Sequence, residues 1–262
     1  MVENIRNLNK FANFLADEAR KISLYYFKKK IKIISKKDEN FDPVTIADIR
    51  IQQKLHEFIE KNYPHHSMLG EEESIIKDSE YEWCIDPIDG TKSFIQGVPL
   101  WGTLISLSRN NKIILGIADI PALDERYIGY KNIAYKIINK KRSLLGVRKK
   151  IDLKNATLNS TSPYVFASKS DQKKFENVAK IVKSTRLGGD CYSYCLLADG
   201  HVDLVIESGL KPYDIRALVP IIKNSGGIIK SWEGKSVDEG GRVLAATNKR
   251  LFLETQKILI KK

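Results

Sequence analysis

Between Glu82 and Ile138 the chain is cut into short apolar segments, at 82–86, 101–109, 112–119, 125–130 and 133–138. They are rich in β-branched and aromatic residues, and Gly, Pro or Asn punctuates them. Runs of this kind read as successive strands, and Asn110-Asn111 reads as a hairpin turn. Helical periodicity precedes them. Leu8, Phe11, Leu15, Ile22 and Tyr26 recur at helical spacing and predict a long amphipathic helix over about 4–29. A second helix is expected to start at Thr45 as its N-cap, to carry Ile51, Leu55 and Phe58 on one face, and to end at Tyr63-Pro64.

After about residue 150 the pattern changes. Strand-like pieces at 164–167, 203–206, 227–230 and 243–247 alternate with helical ones at 171–183, 191–199, 214–225 and 248–258. Alternation of this kind argues for an α/β layered structure. A boundary near 150, after Arg148 to Lys150, divides an N-terminal α+β subdomain (1–150) from a C-terminal α/β subdomain (151–262), and the absence of a long linker predicts a shared interface. A chain of 262 residues is one large domain or two small ones, and needs no disulfide or metal merely to stay folded.

Several classes are excluded. The longest uncharged run, Ser93 to Ser108, has 16 residues, whereas a spanning helix needs about 20 mainly apolar ones. Glu3 and Arg6 leave no apolar core for a secretory signal. Cys84, Cys191 and Cys195 contain no CxxC pair and fit a reducing cytoplasm, where the chain is expected to reside. Cys191 and Cys195, one helical turn apart on an apolar stretch, read as packing residues, and His65 and His66 as exposed loop residues. Gly-Lys-Ser at 234–236 is not a P-loop, because that motif needs Gly where Ile229 stands. The net charge of +12 attracts anions such as phosphate esters and nucleic acid. The basic residues are scattered in small groups, which fits a solvated surface better than a dedicated nucleic-acid face.

The remaining features are carboxylates in unusual settings. A strand-like run ends in Asp86-Pro87-Ile88-Asp89-Gly90-Thr91. Pro87 fixes its own φ and Gly90 permits a turn, so both carboxylates can converge with the Ile88 carbonyl on one point. All-oxygen ligation is what Mg²⁺ prefers, and N–H groups freed beyond Gly90 could receive a phosphate. Asp-Pro followed by Asp-Gly is equally a common turn. Gly70-Glu71-Glu72-Glu73 could be a solvated acidic loop. Asp214 could be a simple helix cap, and Asp48, in Asp42-Pro43-Val44-Thr45-Ile46-Ala47-Asp48, could serve only a helix N-terminus.

Taken together, Asp48, Gly70-Glu71-Glu72, Asp86 to Thr91, and Tyr213-Asp214 before Gly226-Gly227 resemble the inositol monophosphatase family in order and spacing. The resemblance implies an αβαβα sandwich, a homodimer, and Mg²⁺-dependent hydrolysis of a small phosphorylated metabolite with two to three ions per site. By the same resemblance, Glu71, Asp86 and the Ile88 carbonyl would hold the first ion, Asp86, Asp89 and Asp214 the second, and a third would lean on Glu71. Thr91, paired with Asp48, would position and help deprotonate the attacking water, with Glu71 in the catalytic set. The N–H groups of Gly90 and Thr91 would bind the phosphate. Gly188-Gly189-Asp190 and Lys92-Ser93-Phe94 look like the histidinol-phosphatase-like branch, which makes histidinol phosphate the expected substrate and inositol 1-phosphate the alternative. Asp190 and Glu207 would give the pocket two further carboxylates for a cationic substrate, although Asp190 could equally be a helix cap. An RNA- or ribosome-associated binding protein on the same fold is the alternative from another class.

Overall fold

A computed structural model describes residues 3–30, 33–35 and 43–261; Asp42 lies outside the described residues. Helix α1 (Ile5–Tyr26) is capped by Asn4, whose side chain accepts the Arg6 N–H, and it buries Leu8, Ala12, Leu15, Ala16 and Ala19. A short antiparallel ladder of β1 (Ile33–Ser35) and β2 (Pro43–Thr45) leads into α2 (Ile46–Asn62). As predicted, Thr45 is its N-cap and Tyr63 its C-cap.

The next strands form a seven-stranded sheet whose spatial order follows the chain: β3 (Ser67–Gly70), β4 (Tyr81–Asp89), β5 (Gly102–Arg109), β6 (Lys112–Ile120), β7 (Glu125–Tyr130), β8 (Ile133–Ile138) and β9 (Lys141–Leu144). Only β3 and β4 pair in parallel. The one-turn helix α3 (Thr91–Gln96) interrupts the run between β4 and β5. Asn110 and Asn111 take φ values of 47° and 58° and make the predicted hairpin. Lys131-Asn132 and Asn139-Lys140 repeat that left-handed pair at the β7–β8 and β8–β9 hairpins.

The second half builds a five-stranded sheet. Its elements in chain order are β10 (Thr157–Ser160), α4 (Lys169–Ala179), β11 (Ser184–Leu187), α5 (Asp190–Ala198), β12 (Leu204–Leu210), α6 (Pro212–Ile215), α7 (Leu218–Asn224), β13 (Ile228–Ser231), β14 (Gly241–Ala246) and α8 (Lys249–Leu259). The strand order is β11-β10-β12-β14-β13, with β10 parallel to both of its neighbours. Three apolar cores separate the layers. One lies between α1, α2 and the first sheet, one between the two sheets around α5 and α7, and one between the second sheet and α4 with α8. The architecture is therefore the αβαβα sandwich.

Three local expectations are corrected. The strand expected at 164–167 is a single 3₁₀ turn at Pro163–Val165, since Pro163 removes a ladder donor; the strand sits at β10 instead. The helix expected over 214–225 is broken into α6 and α7, and Pro220 has no N–H to give the Arg216 carbonyl. His66 is buried rather than exposed. Its Nδ1 accepts the Trp83 indole N–H at 3.0 Å, Tyr63 and Tyr81 stack on its ring, and its Nε2 donates to Glu3 Oε1 at 3.0 Å.

Helix α7 lies directly on the first sheet because two cross-strand partners there are Gly116 and Gly129. A Cβ at Gly116 would come 2.0 Å from the Ala217 carbonyl oxygen, and one at Gly129 would come 2.4 Å from the Ile221 nitrogen. Backbone cannot yield as a flexible side chain can. Gly129→Ala is therefore expected to cost about 1–3 kcal/mol as overpacking, read as a lowered urea midpoint with an unchanged slope.

Candidate active site

The site begins at the end of β4. In a regular strand Asp86 and Asp89 would face opposite sides of the sheet. The β4–β5 register shifts between these two residues, as at a bulge, and both carboxylates turn to one side. Thr103 Oγ1 donates to the Pro87 carbonyl at 2.8 Å and steadies the irregular segment. The N-terminus of α5 reaches this point from the other half of the chain, and the Cys191 N–H donates to Asp89 Oδ2 at 2.6 Å. Asp214, in the first turn of α6, accepts the Lys211 N–H at 2.6 Å, so its capping role coexists with a place in the site. One oxygen from each of Asp86, Asp89 and Asp214 lies within 4.8 Å of the other two.

A second group stands beside the first. Asp48, Glu71 and Glu72 likewise offer oxygens within 4.8 Å of one another. Asp48 is buried in the first turn of α2, where its Oδ2 accepts the Thr45 N–H at 2.8 Å and the Thr45 Oγ1–H at 2.5 Å. Glu71 follows β3, and its N–H donates to the Ile85 carbonyl at 3.2 Å, tying it to β4 beside Asp86. The two groups adjoin, since Glu71 stands close enough to Asp86 and Asp214 to repel both. The expected direct pairing of Thr91 with Asp48 is not made among the described residues: Thr91 Oγ1 donates to the Ile88 carbonyl at 3.0 Å, while Asp48 holds Thr45.

On the other flank stand Asp190 and Glu207. Gly90 caps α3 with φ 83°, and a Cβ there would lie 3.1 Å from the Asp190 carboxylate. Asp190 opens α5 with φ 43°, an uncommon backbone for a non-glycine residue, and its Oδ2 accepts Ser93 Oγ–H at 3.1 Å. Its side chain therefore bonds outward to α3, and the reading of Asp190 as a simple helix cap is set aside. Glu207, buried on β12, accepts the Thr161 N–H at 2.6 Å. The Tyr194 hydroxyl is buried among Glu207, Asp89 and Asp214 and has no hydrogen-bond partner among the described residues.

Burial and mutual repulsion make these acids reluctant to ionise together. Burial, then Glu71, Asp89 and Asp214, hold the Asp86 carboxyl well above its usual range. Burial, Asp190 and Asp214 do the same to Asp89. Asp214 is pushed up to about 7 by burial and Glu71, against the Lys211 N–H, and Asp48 to about 7 by burial with Glu71 and Glu72, against Thr45. Burial raises Glu207 to about 8. Asp86 Oδ1 is buried with no hydrogen-bond partner among the described residues. A buried, unpaired oxygen amid hard oxygen donors is what a small divalent cation would satisfy, so the residues fit Mg²⁺ chemistry.

Two participants carry no expected role in the sequence. Glu72 only follows Glu71 in its motif, and Cys191 reads as a packing residue, although its backbone N–H reaches Asp89. The signal for Glu72 was its adjacency to Glu71. For the Cys191 N–H it was the helix start after Gly188-Gly189. A cavity of about 680 Å³ among Tyr81, Arg109, Lys112 and Lys223 lies at the far end of β4, away from these carboxylates.

The chain matches the inositol monophosphatase family over residues 4–261. It belongs to that family. A chloroplastic bifunctional phosphatase of Arabidopsis thaliana is 44% identical over 234 residues, covering 87% of this chain and 66% of the relative's own length. A histidinol-phosphatase of Chlorobaculum parvum is 30% identical over 248 residues, covering 89% of this chain and 90% of the relative. The solved structure of an inositol monophosphatase from Zymomonas mobilis superposes with a TM-score of 0.85 at 33% identity, over 98% of this chain and 99% of that one. Among the described residues no helix is long and apolar enough to cross a membrane.

The Glu207 carboxyl sets a pH dependence of stability. Its folded value of about 8 exceeds the ordinary 4.5, so the native state holds the proton more tightly. Stability is therefore lost as pH rises from the unfolded value toward the folded one. In Glu207→Gln the amide oxygen still accepts the Thr161 N–H and nothing titrates. Its melting temperature relative to the parent should be higher at pH 8 than at pH 5; an equal difference at both would refute the assignment.

Proposed function

We propose that the chain hydrolyses a small phosphate monoester with Mg²⁺, and that histidinol phosphate is its substrate. The observation carrying the reaction is the meeting of Asp86 and Asp89 from β4 with Asp214 from α6, beside Asp48 and Glu71. Glu71, Asp86, Asp89, Asp214 and the Ile88 carbonyl would hold the ions. Mg²⁺ bound there would neutralise charge on the ester and lower the pKa of water.

The chain's own groups divide the remaining work. The Ile88 carbonyl already accepts Thr91 Oγ1, and a carbonyl oxygen has a second lone pair to offer. Thr91 is thereby oriented at the edge of the carboxylate cluster, where its hydroxyl can order an attacking water. Asp48, in the first turn of α2, would accept the proton released. The N–H groups of Gly90 and Thr91 would receive the phosphate, since no side chain caps α3.

Substrate choice rests on Asp190. Its carboxylate lies against Gly90, beside the proposed phosphate position, and Ser93 holds it there. In histidinol phosphate the amine is only three bonds from the ester oxygen. A carboxylate next to the phosphate can therefore reach that cation with a charge-assisted hydrogen bond. The name of the Chlorobaculum parvum relative, histidinol-phosphatase, supports the same reading. Glu207 favours the second candidate, inositol 1-phosphate, because a protonated carboxyl at neutral pH suits an uncharged hydroxyl.

Phosphate release from histidinol phosphate, inositol 1-phosphate and fructose 1,6-bisphosphate, with and without Mg²⁺, should show metal-dependent turnover with histidinol phosphate preferred; no turnover of any ester at saturating Mg²⁺ would reject the reaction. Asp89→Asn should lower kcat about 10²–10³-fold, the several kcal/mol typical of lost metal-assisted catalysis, with the circular dichroism spectrum unchanged. Asp190→Ala should reduce kcat/KM for histidinol phosphate at least about tenfold more than for inositol 1-phosphate, as expected of a charge-assisted contact. Equal losses would remove histidinol phosphate as the preferred substrate.

A further inference from the structure

Helix α2 presents Asp48 and, one turn later, Gln52 toward the turn that carries the three glutamates. Gln52 is 1% exposed, and its amide uses both ends on that turn. Its Nε2 donates to the Glu73 carbonyl at 2.6 Å, and its Oε1 accepts the Glu72 N–H at 2.9 Å. The turn is closed below by the Met68–Ile75 bridge, where each N–H donates to the other's carbonyl at 2.7–2.8 Å. Its tip, Glu71 to Glu73, is reached from α2 by this amide. Gly70 completes the contact. A Cβ there would lie 2.4 Å from the Glu73 oxygen and 2.5 Å from Gln52 Nε2, inside the hydrogen bond itself.

We propose that Gln52 is a positioning residue that sets the backbone of Glu71 and Glu72 against Asp48, so that the metal-facing carboxylates of α2 and of the turn act as one rigid unit. The inference rests on the reading of Glu71 as a metal ligand. Three nearby carboxylates repel one another; Glu71 is tied to β4 through the Ile85 carbonyl, and the Gln52 amide ties Glu72 and Glu73 to α2, which carries Asp48. A neutral amide is suited to this task because it donates and accepts at once. A carboxylate would lack the donor for the Glu73 carbonyl and would add a fourth negative charge.

The test compares the full-length parent with Gln52→Leu, Gly70→Ala, the double variant, Gln52→Glu, and Gln53→Leu as an exposed neighbour. Three readouts are taken: amide hydrogen exchange at Glu72 in metal-free protein, Mn²⁺ binding by calorimetry, and phosphate release against Mg²⁺ concentration. Gln52→Leu should speed exchange at Glu72 and raise the Mn²⁺ Kd and half-saturating Mg²⁺ by about tenfold each, the scale of one or two lost hydrogen bonds. The ester KM should stay within about twofold. Gly70→Ala should match it, and the double variant should be no worse than either single one, because all three break one contact. Gln52→Glu keeps the acceptor for Glu72 and should restore slow exchange there, while Gln53→Leu should change nothing. Parental exchange at Glu72 in Gln52→Leu would overturn the proposal, as would fast exchange with parental metal affinity. Should the parent bind no metal and release no phosphate, the functional reading fails on its own, while exchange at Glu72 still decides whether Gln52 holds the turn. If Gln52→Leu does not fold, Gly70→Ala and Gln52→Glu carry the same comparison.

Discussion

Buried Asp86 and half-buried Asp89 stand beside Asp214, with Glu71 and Asp48 close by, and like charges at that range in a poorly solvated pocket oppose one another strongly. The fold must keep these groups together against their repulsion and desolvation. Three of them are relieved by a donor fixed in the backbone: Thr45 for Asp48, Cys191 for Asp89 and Lys211 for Asp214. Asp86 Oδ1 alone among them is buried without a donor. That asymmetry singles out the atom around which a divalent cation would resolve the repulsion.

Holding the carboxylates requires that elements far apart in the chain be rigidly related. Asp214 arrives on α6, whose continuation α7 lies on the sheet through the Gly116–Gly129 pair. Just after Asp214, Arg216 donates to Glu82 at the start of β4, to Glu239 and to the Asp238 carbonyl. Asp214 is thus anchored to the strand that carries Asp86 and Asp89. On the far side, buried Asp119 accepts hydrogen bonds from Arg20 of α1 and Arg126 of β7, fastening the outer helix layer to the same sheet. An ion pair so buried stabilises only when its oxygens are fully engaged. Here Asp119 Oδ1 and Oδ2 both are.

Much of this was legible in the residues. The helix caps, the strand meander and the Asn110-Asn111 hairpin follow from local propensity, because turn chemistry and periodicity act within a few residues. The acids could be recognised jointly, since their order along the chain carries the resemblance. Pro163 and Pro220 are local signals for the 163–165 turn and the break between α6 and α7, whereas buried His66 was not legible in advance, because it depends on partners distant in sequence. Trp83 and Glu3, for example, reach His66 from 17 and 63 residues away.

By itself, then, the amino-acid order determined which residue types were available, where helices and strands would start, and that an oxygen-rich site was in reach. Tertiary structure alone decided that Asp48 with Glu71 and Glu72 comes to stand beside Asp86, Asp89 and Asp214. It also decided that Asp190 bonds outward to Ser93 and that a glutamine on α2 holds the acidic turn. Each of these choices depends on which donors stand within about 3 Å, a distance that spacing along a chain does not encode.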